Sequence, residues 1–270
     1  MKRSITISFL SKRSAIQTTA VLLLPLLMCG CLTLSTPNLD SELVVGVTKN
    51  NAPFFIGTEK GPSGLEVDLA QQLAEELKKT VRFVVMPEHK LAPAVDGGTI
   101  DIIMNGVMVT TESRESVSFA LPYLQNGEII VVREGDADGY QPASKIKATQ
   151  AKIAVVNDSR GQAYAQAYCS SASIVNVSTA KKAFTSLMES RVDVVVIDAV
   201  TASYMCPKFP GIIMVLEPLT AVDVAWAVDP VNFKLLDNLN AARSAWLRDG
   251  SLNKVINQWI PGYNEMGFDK

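Results

Sequence analysis

One short unit is written twice in this chain. Gly98-Thr99-Ile100-Asp101-Ile102-Ile103-Met104 is echoed by Ser190-Arg191-Val192-Asp193-Val194-Val195-Val196-Ile197. In each copy a helical pattern (Lys90–Val95; Ala180–Glu189) leads through a tight turn to an aspartate and an unbroken apolar run. A run this short and this rich in β-branched residues predicts a parallel strand covered on both faces. In open α/β sheets ligands sit beyond the carboxyl ends of such strands. Those ends are Asn105-Gly106 and Asp198. Two α/β lobes that each offer one strand end to a shared cleft predict a clamshell closing on a small molecule.

At 270 residues the chain is long for one small core and suits two compact lobes. Its 25 Lys+Arg stand against 27 Asp+Glu, with no basic patch. A nucleic-acid partner is therefore not expected, because phosphate binding needs clustered positive charge. The N-terminus reads as a targeting segment. Lys2, Arg3, Lys12 and Arg13 are followed by the apolar stretch Ala20–Met28, too short for a bilayer span. Residues 1–30 are a predicted signal peptide ending in Gly30-Cys31, an arrangement that resembles a bacterial lipobox. Cleavage there leaves Cys31 as a lipidated N-terminus and residues 31–40 as a polar tether. More than one acyl chain suffices for stable anchoring, so the expected location is the periplasmic or cell-surface side of a bacterial membrane. An ordinary signal peptide with incidental cysteines is the alternative. Export would place Cys169 and Cys206 in an oxidising compartment. Sequence does not set their separation, so a disulfide between them stays open.

Along the mature chain the pattern predicts a strand at Leu43–Thr48, a loop at Lys49–Ser63 and a helix from Leu65 through Lys79. Strand Val81–Met86, helix Leu91–Val95 and strand Ile100–Met104 follow, and Thr110 to Arg114 reads as a capped helix start. After extended Glu128–Val132 and a broken stretch at Glu134–Ala143 comes a second α/β series. It comprises strand Lys152–Val156, helix Gly161–Cys169, strand Ile174–Val177, helix Thr179–Glu189 and strand Asp193–Ile197. Extended Val222–Val228 precedes two helices, Phe233–Leu247 and Leu252–Trp259, broken at Asp249-Gly250. Glu128 and Val222 are expected to be neighbouring crossings between lobes. Lobe one is then residues 41–126 with 224–264, and lobe two residues 127–223.

Several stretches together resemble the family 3 extracellular solute-binding proteins, the polar amino-acid receptors of ABC importers. They are Ala52-Pro53-Phe54, Gly64 to Ala70, Ile100-Asp101 to Gly106, Pro122-Tyr123, Val192-Asp193 to Asp198, and Asp249-Gly250-Ser251-Leu252 leading to Trp259. Singly each is weak; in family order over nearly the whole mature chain they are strong. The resemblance implies a two-lobed, type II periplasmic-binding-protein-like clamshell with two hinge crossings. Its partners would be a small amino acid or related solute and an ABC permease. A monomer is expected, with no cofactor, metal or catalytic residue.

Residue by residue, the resemblance places Asp198 at the ligand ammonium, where a carboxylate makes a charge-assisted hydrogen bond; a helix cap is the plainer reading. The family holds the ligand carboxylate with an arginine shortly after the strand end and with backbone N–H groups at a lobe-two helix start. Here the strand end is Asn105-Gly106-Val107-Met108, with Met108 where a hydroxyl is usual. Ser113 takes the usual arginine place and Arg114 falls one residue late. One residue on a helix is about 100° of rotation, so Arg114 is either the clamp or a surface charge. Arg160, beside Ser159 at the start of the lobe-two helix, is the second candidate. Asn51 and Glu88 stand where the family usually has aromatic walls, leaving Phe54 or Phe55 as the remaining wall. Glu88 suits a second cationic group, as on lysine, arginine or a polyamine-like solute, unless it pairs internally with Arg114 or Arg160 or is simply exposed.

No phosphate-cradling glycine loop, His-Glu-x-x-His or nucleophile elbow is present. Two competing readings are kept: a clamshell dehydratase with a cleft carboxylate such as Glu88 as general acid, and a sensory or partner-binding module that has lost amino-acid binding.

Overall fold

The computed structural model describes residues 41–49 and 51–268. The segments expected as signal peptide and tether, with Cys31, lie outside the described residues. In chain order the first part holds β1 (Glu42–Val47), the hairpin β2 (Ile56–Thr58) and β3 (Gly61–Ser63), α1 (Leu65–Leu77), β4 (Thr80–Val85) and α2 (Glu88–Asp96). It continues with β5 (Ile102–Ile103), α3 (Thr111–Arg114), β6 (Ser118–Phe119) and β7 (Leu124–Asn126). The second part holds β8 (Glu128–Arg133), β9 (Lys152–Val156), α4 (Arg160–Tyr168), β10 (Ser173–Val177), α5 (Ala180–Met188), β11 (Val194–Asp198), α6 (Ala199–Met205) and β12 (Ile212–Val215). The chain then returns through β13 (Val222–Val224) and β14 (Ala227–Val228) to α7 (Phe233–Asp249) and α8 (Ser251–Trp259).

Two five-stranded sheets result, ordered β4-β1-β5-β14-β6 and β10-β9-β11-β8-β12. Each has three parallel strands and then a strand that runs antiparallel, β14 in one and β8 in the other. The fold is a mixed α/β clamshell of two lobes. Between the sheets the chain crosses twice, and β7 pairs antiparallel with β13, Gln125 opposite Asp223. Glu128, expected at a crossing, instead opens β8 inside the second sheet; the hinge pair closes two residues earlier, at Asn126. The segment Lys49–Ser63, expected as loop, contains the short β2–β3 hairpin. Cys169 and Cys206 are both free.

The echoed unit occupies the same place in each sheet, down to its hydrogen bonds. Gly98 and Ser190 take left-handed backbone, φ +65° and +56°. The N–H groups of Thr99 and Ile100 donate to Ala94 O, and those of Arg191 and Val192 to Ser186 O. Each aspartate then closes a two-point pair with the first parallel strand. Asp101 N–H donates to Val44 O at 2.8 Å while its Oδ2 accepts the Val44 N–H at 2.8 Å. Asp193 does the same with Lys152, both at 2.9 Å. The aspartate is there because the ladder starts one residue late and a backbone donor needs an acceptor. The first copy's ladder is shorter than the expected Ile100–Met104 because its antiparallel neighbour β14 is only two residues long.

The C-terminal return is locked onto α1. All three tryptophans donate indole N–H groups to its carboxylates: Trp226 to Glu66 at 2.8 Å, Trp246 to Glu76, and Trp259 to Asp68 at 2.7 Å. Tyr123 stacks on Trp226, ring centroids 5.1 Å apart, and Trp246 meets Trp226 edge-on.

The two repeat aspartates should differ in weight. Asp101→Ala leaves the buried Val44 N–H without an acceptor, a loss on the order of 1–3 kcal/mol. Asp193→Ala should cost clearly less, because Lys152 is exposed and water can replace the carboxylate. Urea denaturation of the two variants checks this; equal losses would show that burial of the orphaned N–H is not what matters.

Candidate functional site

The ends of β5 and β11 face a cleft of about 580 Å³ between the lobes. The lobe-one wall is built on the Asn105–Met108 turn. Asn105 is buried, and its Oδ1 accepts the Thr48 N–H and hydroxyl, both at 2.9 Å, and the Asn51 amide at 3.2 Å. Asn51 Nδ2 also donates to Asn105 O at 2.8 Å, so Asn51 braces the turn it borders. Gly106 has φ +66°, and a Cβ on it would meet the Phe54 ring at 2.6 Å. Only glycine allows that ring to lie against the turn. The Gly106 N–H donates to Glu66 Oε1 at 2.9 Å. Glu66 is fully buried and also accepts from the Tyr123 hydroxyl at 2.7 Å and the Trp226 indole. Burial raises its pKa while the three donors pull it back.

The lobe-two wall carries the charges. Asp198 ends β11 and caps α6, with Oδ1 accepting the Thr201 N–H at 2.9 Å and the Asn126 amide at 3.1 Å. Both bonds fall on Oδ1, so Oδ2 keeps its acceptor capacity. Arg160 is the first residue of α4, and its side chain is 44% exposed. Ser159 caps that helix: its Oγ accepts the Gln162 N–H at 3.1 Å and donates to Val156 O at 2.7 Å. Behind Arg160 lies a recess of about 290 Å³ bordered by Ser159, Gly161, Asp198 and Glu128. Glu128 is buried, and its Oε1 has no hydrogen-bond partner; Arg160 Nε is 3.6 Å away, an ion pair beyond hydrogen-bond length. Burial pushes this carboxyl up to about 7, Asp198 adds to the rise and Arg160 opposes it.

Of the candidate residues, Asn51, Phe54, Glu88, Asn105, Gly106, Met108, Arg160 and Asp198 all border the cleft, and Ser159 borders the recess. Arg114 does not. It is exposed at the end of α3, its guanidinium 5.9 Å from the centre of the Phe119 ring. Ser113 faces the cleft in its stead, its hydroxyl held in a capping box with Thr110. The one-residue slip is thus real rotation, not repaired by the turn before it. Glu88 is exposed at the start of α2 and pairs with neither arginine. Met108 borders both cavities, its backbone bridged to Val224 of the hinge. Sequence reasoning missed Asn126, Glu128 and the role of Glu66. Glu66 does carry a signal, since it falls on the helical stripe of Ala70, Leu73 and Ala74, where a carboxylate must be partnered.

The profile of the bacterial extracellular solute-binding proteins, family 3, matches residues 43–262. The ABC transporter arginine-binding protein 1 of Escherichia coli (strain K12) is 27% identical over 222 residues, covering 80% of this chain and 89% of that protein. A solved ancestral cationic amino acid solute binding protein shares the fold with a TM-score of 0.75 at 28% identity, covering 82% of this chain and 96% of that one. An ancestral amino-acid-binding protein described as a precursor of cyclohexadienyl dehydratase matches with a TM-score of 0.66 at 27% identity, over 82% and 95% of the two chains.

Glu128 has a consequence for stability. Its carboxyl is held at about 7 in the fold against 4.5 ordinarily, so between those values the folded chain binds more protons than the unfolded one. Stability contributed by this group is then lost as pH rises through that window. Melting temperatures from pH 5 to about 8 should fall less steeply in Glu128→Gln than in wild type, with the variant the more stable above neutrality. Parallel curves would show that Glu128 is ionised throughout.

Proposed function

The chain belongs to the bacterial extracellular solute-binding proteins, family 3, and from that premise we propose that it is the extracytoplasmic receptor of an ABC importer, binding a basic amino acid in its cleft. Residues 41–126 with 224–264 form one lobe in this reading, and residues 127–223 the other. The carrying observation is the charge of the cleft wall: Glu88 and Asp198 border it against a single cation, Arg160. The ligand ammonium goes to Asp198, its carboxylate to the Arg160 guanidinium and the N-terminus of α4, and its side-chain cation toward Glu88. Neutral polar groups from lobe one, Asn51, Ser113 and the Asn105–Gly106 turn, close over it. Ligand contact with both lobes shifts the chain toward the closed state. With Asn51 and Glu88 in place of the aromatic walls, Phe54 is the aromatic that still borders the cleft.

Catalysis is the second reading. Glu128, rather than the exposed Glu88, has the burial that keeps a proton near neutrality, as a general acid needs. Incubation with a cyclohexadienyl amino-acid precursor, followed by NMR, separates turnover from binding. Export and anchoring through Cys31 complete the receptor reading. Among the described residues no helix is long and apolar enough to cross a membrane. Cys31→Ser should move the protein from the membrane fraction to the soluble one; unchanged retention would exclude that anchor.

Binding should discriminate the charged groups. Asp198→Asn keeps a competent cap for α6 but loses the ionic bond, so L-arginine affinity should fall by about 2–5 kcal/mol with a native melting temperature. Arg160→Ala should lose most binding of any amino acid, whereas Arg114→Ala should stay within about twofold of wild type, as an exposed charge outside the cleft. Glu88→Gln should weaken arginine by a few-fold, corresponding to roughly 0.2–1 kcal/mol for an exposed pair, and leave glutamine unchanged. Calorimetric titration of arginine, lysine, glutamine and glutamate decides. Tighter binding of glutamate than arginine by the wild type would remove the preference for positive charge.

A further inference from the structure

We propose that Glu128 is a positioning residue of the binding site that holds Arg160 in the empty cleft, yields it to the ligand carboxylate, and takes up one proton from solvent in exchange. The inference rests on the reading above, in which that carboxylate goes to Arg160.

The geometry is that of a placeholder. Glu128 opens β8 directly opposite Asp198 of β11 in the antiparallel register, so both carboxylates leave the same face of the sheet. Its side chain is only 3% exposed. One oxygen, Oε2, lies against the first turn of α4, where a Cβ on Gly161 would be 3.0 Å from it. The other, Oε1, points at Arg160 without forming a hydrogen bond. Arg160 borders both the recess that contains Glu128 and the open cleft. Among the described residues its guanidinium has one carboxylate neighbour within ion-pair distance, Glu128 at 3.6 Å through Nε, so most of its donor fork is unspent.

A ligand carboxylate can take that fork bidentately at about 2.7–2.9 Å, a far stronger contact than a skewed 3.6 Å pair. Glu128 then loses Arg160, its cationic neighbour among the described residues. The groups that face it from the packed elements are Asp198 of β11, Arg160 of α4, and the uncharged Thr201 of α6 and Ala180 of α5. With Arg160 engaged elsewhere, what remains is Asp198, the incoming anion and a site emptied of water. The ligand ammonium is met by Asp198 Oδ2 and does not replace the lost guanidinium. A buried carboxylate whose guanidinium partner is bound to another anion, with Asp198 beside it, accepts a proton. Little driving force is needed, because burial already holds this group at about 7 with Arg160 at 3.6 Å. The carboxylic acid so formed can donate to one of those anions, filling the vacancy at Oε1.

The sign follows. Below the empty-state value Glu128 is protonated in both states and binding takes up nothing. Above it, binding takes up as much as one proton, and affinity falls by up to about tenfold per pH unit until the bound-state value is reached. L-Arginine and L-glutamine serve as probes, since each carries the carboxylate. Their binding heats are measured on the full-length protein at pH 7.5 in phosphate and in Tris, whose ionisation enthalpies differ widely. The expected result is proton uptake with both probes in wild type, none in Glu128→Gln, and a loss of affinity toward pH 8 that the variant lacks. Binding with buffer-independent heats in wild type, a measurement that needs no variant to fold, would overturn the inference and leave the receptor reading standing. Uptake that persists in Glu128→Gln would overturn it also. No binding of either probe would overturn the receptor reading and this inference with it.

Discussion

The lobe-one face of the cleft depends on one buried carboxylate. Glu66 gathers the Gly106 N–H, the Tyr123 hydroxyl and the Trp226 indole, from the cleft turn, the approach to the hinge and the returning chain. An unpartnered carboxylate there would be too costly to bury; three donors make it the point at which those segments must meet. Gly106 is thereby fixed in its left-handed conformation, and Phe54 is fixed against it. Because Trp246 and Trp259 also donate to α1, the helix that supplies Glu66 is itself held by the C-terminal return. The cleft wall is thus positioned by residues far away in sequence and outside the cleft.

Asn126 plays the corresponding part at the hinge. It lies on the crossing strand β7 and is buried. Its Oδ1 accepts the N–H groups of Gly127 and Val200, at 2.9 and 3.3 Å, while its amide donates to Asp198. The residue at the pivot is therefore bonded to a charged group of the cleft. Hinge motion in clamshells is absorbed by a few such element-terminal positions. The crossing strand β7 is thus joined to the cleft carboxylate of Asp198 through one side chain.

The fold was legible because it is written in apolar periodicity. Both repeat copies, the parallel strands and the helices α1, α5, α7 and α8 follow from patterns that burial imposes on sequence. Of the cleft's lining, Asn105, Gly106 and Asp198 were legible from the fold itself, as strand ends, whereas Asn51, Phe54, Glu88, Met108 and Arg160 were legible only through the family resemblance. Arg114 shows the limit. Its charge and approximate position fit a clamp, but a four-residue helix closed by the Thr110–Ser113 box sets its direction, and direction is not visible in spacing. Glu128 was misread for the opposite reason. Its apolar neighbours announced a strand, but only the antiparallel pairing with β11 puts it across from Asp198, and that pairing joins segments about 70 residues apart. Glu88 borders the cleft and is exposed, and it pairs with neither arginine offered as an internal partner, because Arg160 is drawn to Glu128 and Arg114 lies against Phe119.

Charge counting across the closed cleft ties these residues together. In the proposed reading the site contributes Asp198, Glu88 and Glu128 against Arg160. A basic amino acid adds an ammonium, a side-chain cation and a carboxylate. With every acid ionised the sum is three site acids and one ligand carboxylate against three cations, a net of −1. Glu88 and the side-chain cation it meets lie toward solvent, so that excess falls on Glu128, Asp198 and the ligand carboxylate, where like charges repel most strongly. Protonation of Glu128 brings the sum to zero. Of the three acids it is the one without exposure, without a hydrogen bond to Oε1, and already displaced toward neutrality by burial. Asp198 is engaged otherwise, its Oδ1 accepting two bonds that hold α6 and the hinge amide. Glu88 stands in solvent. The site thus separates its acids by environment, one to cap, one to attract and one to give way.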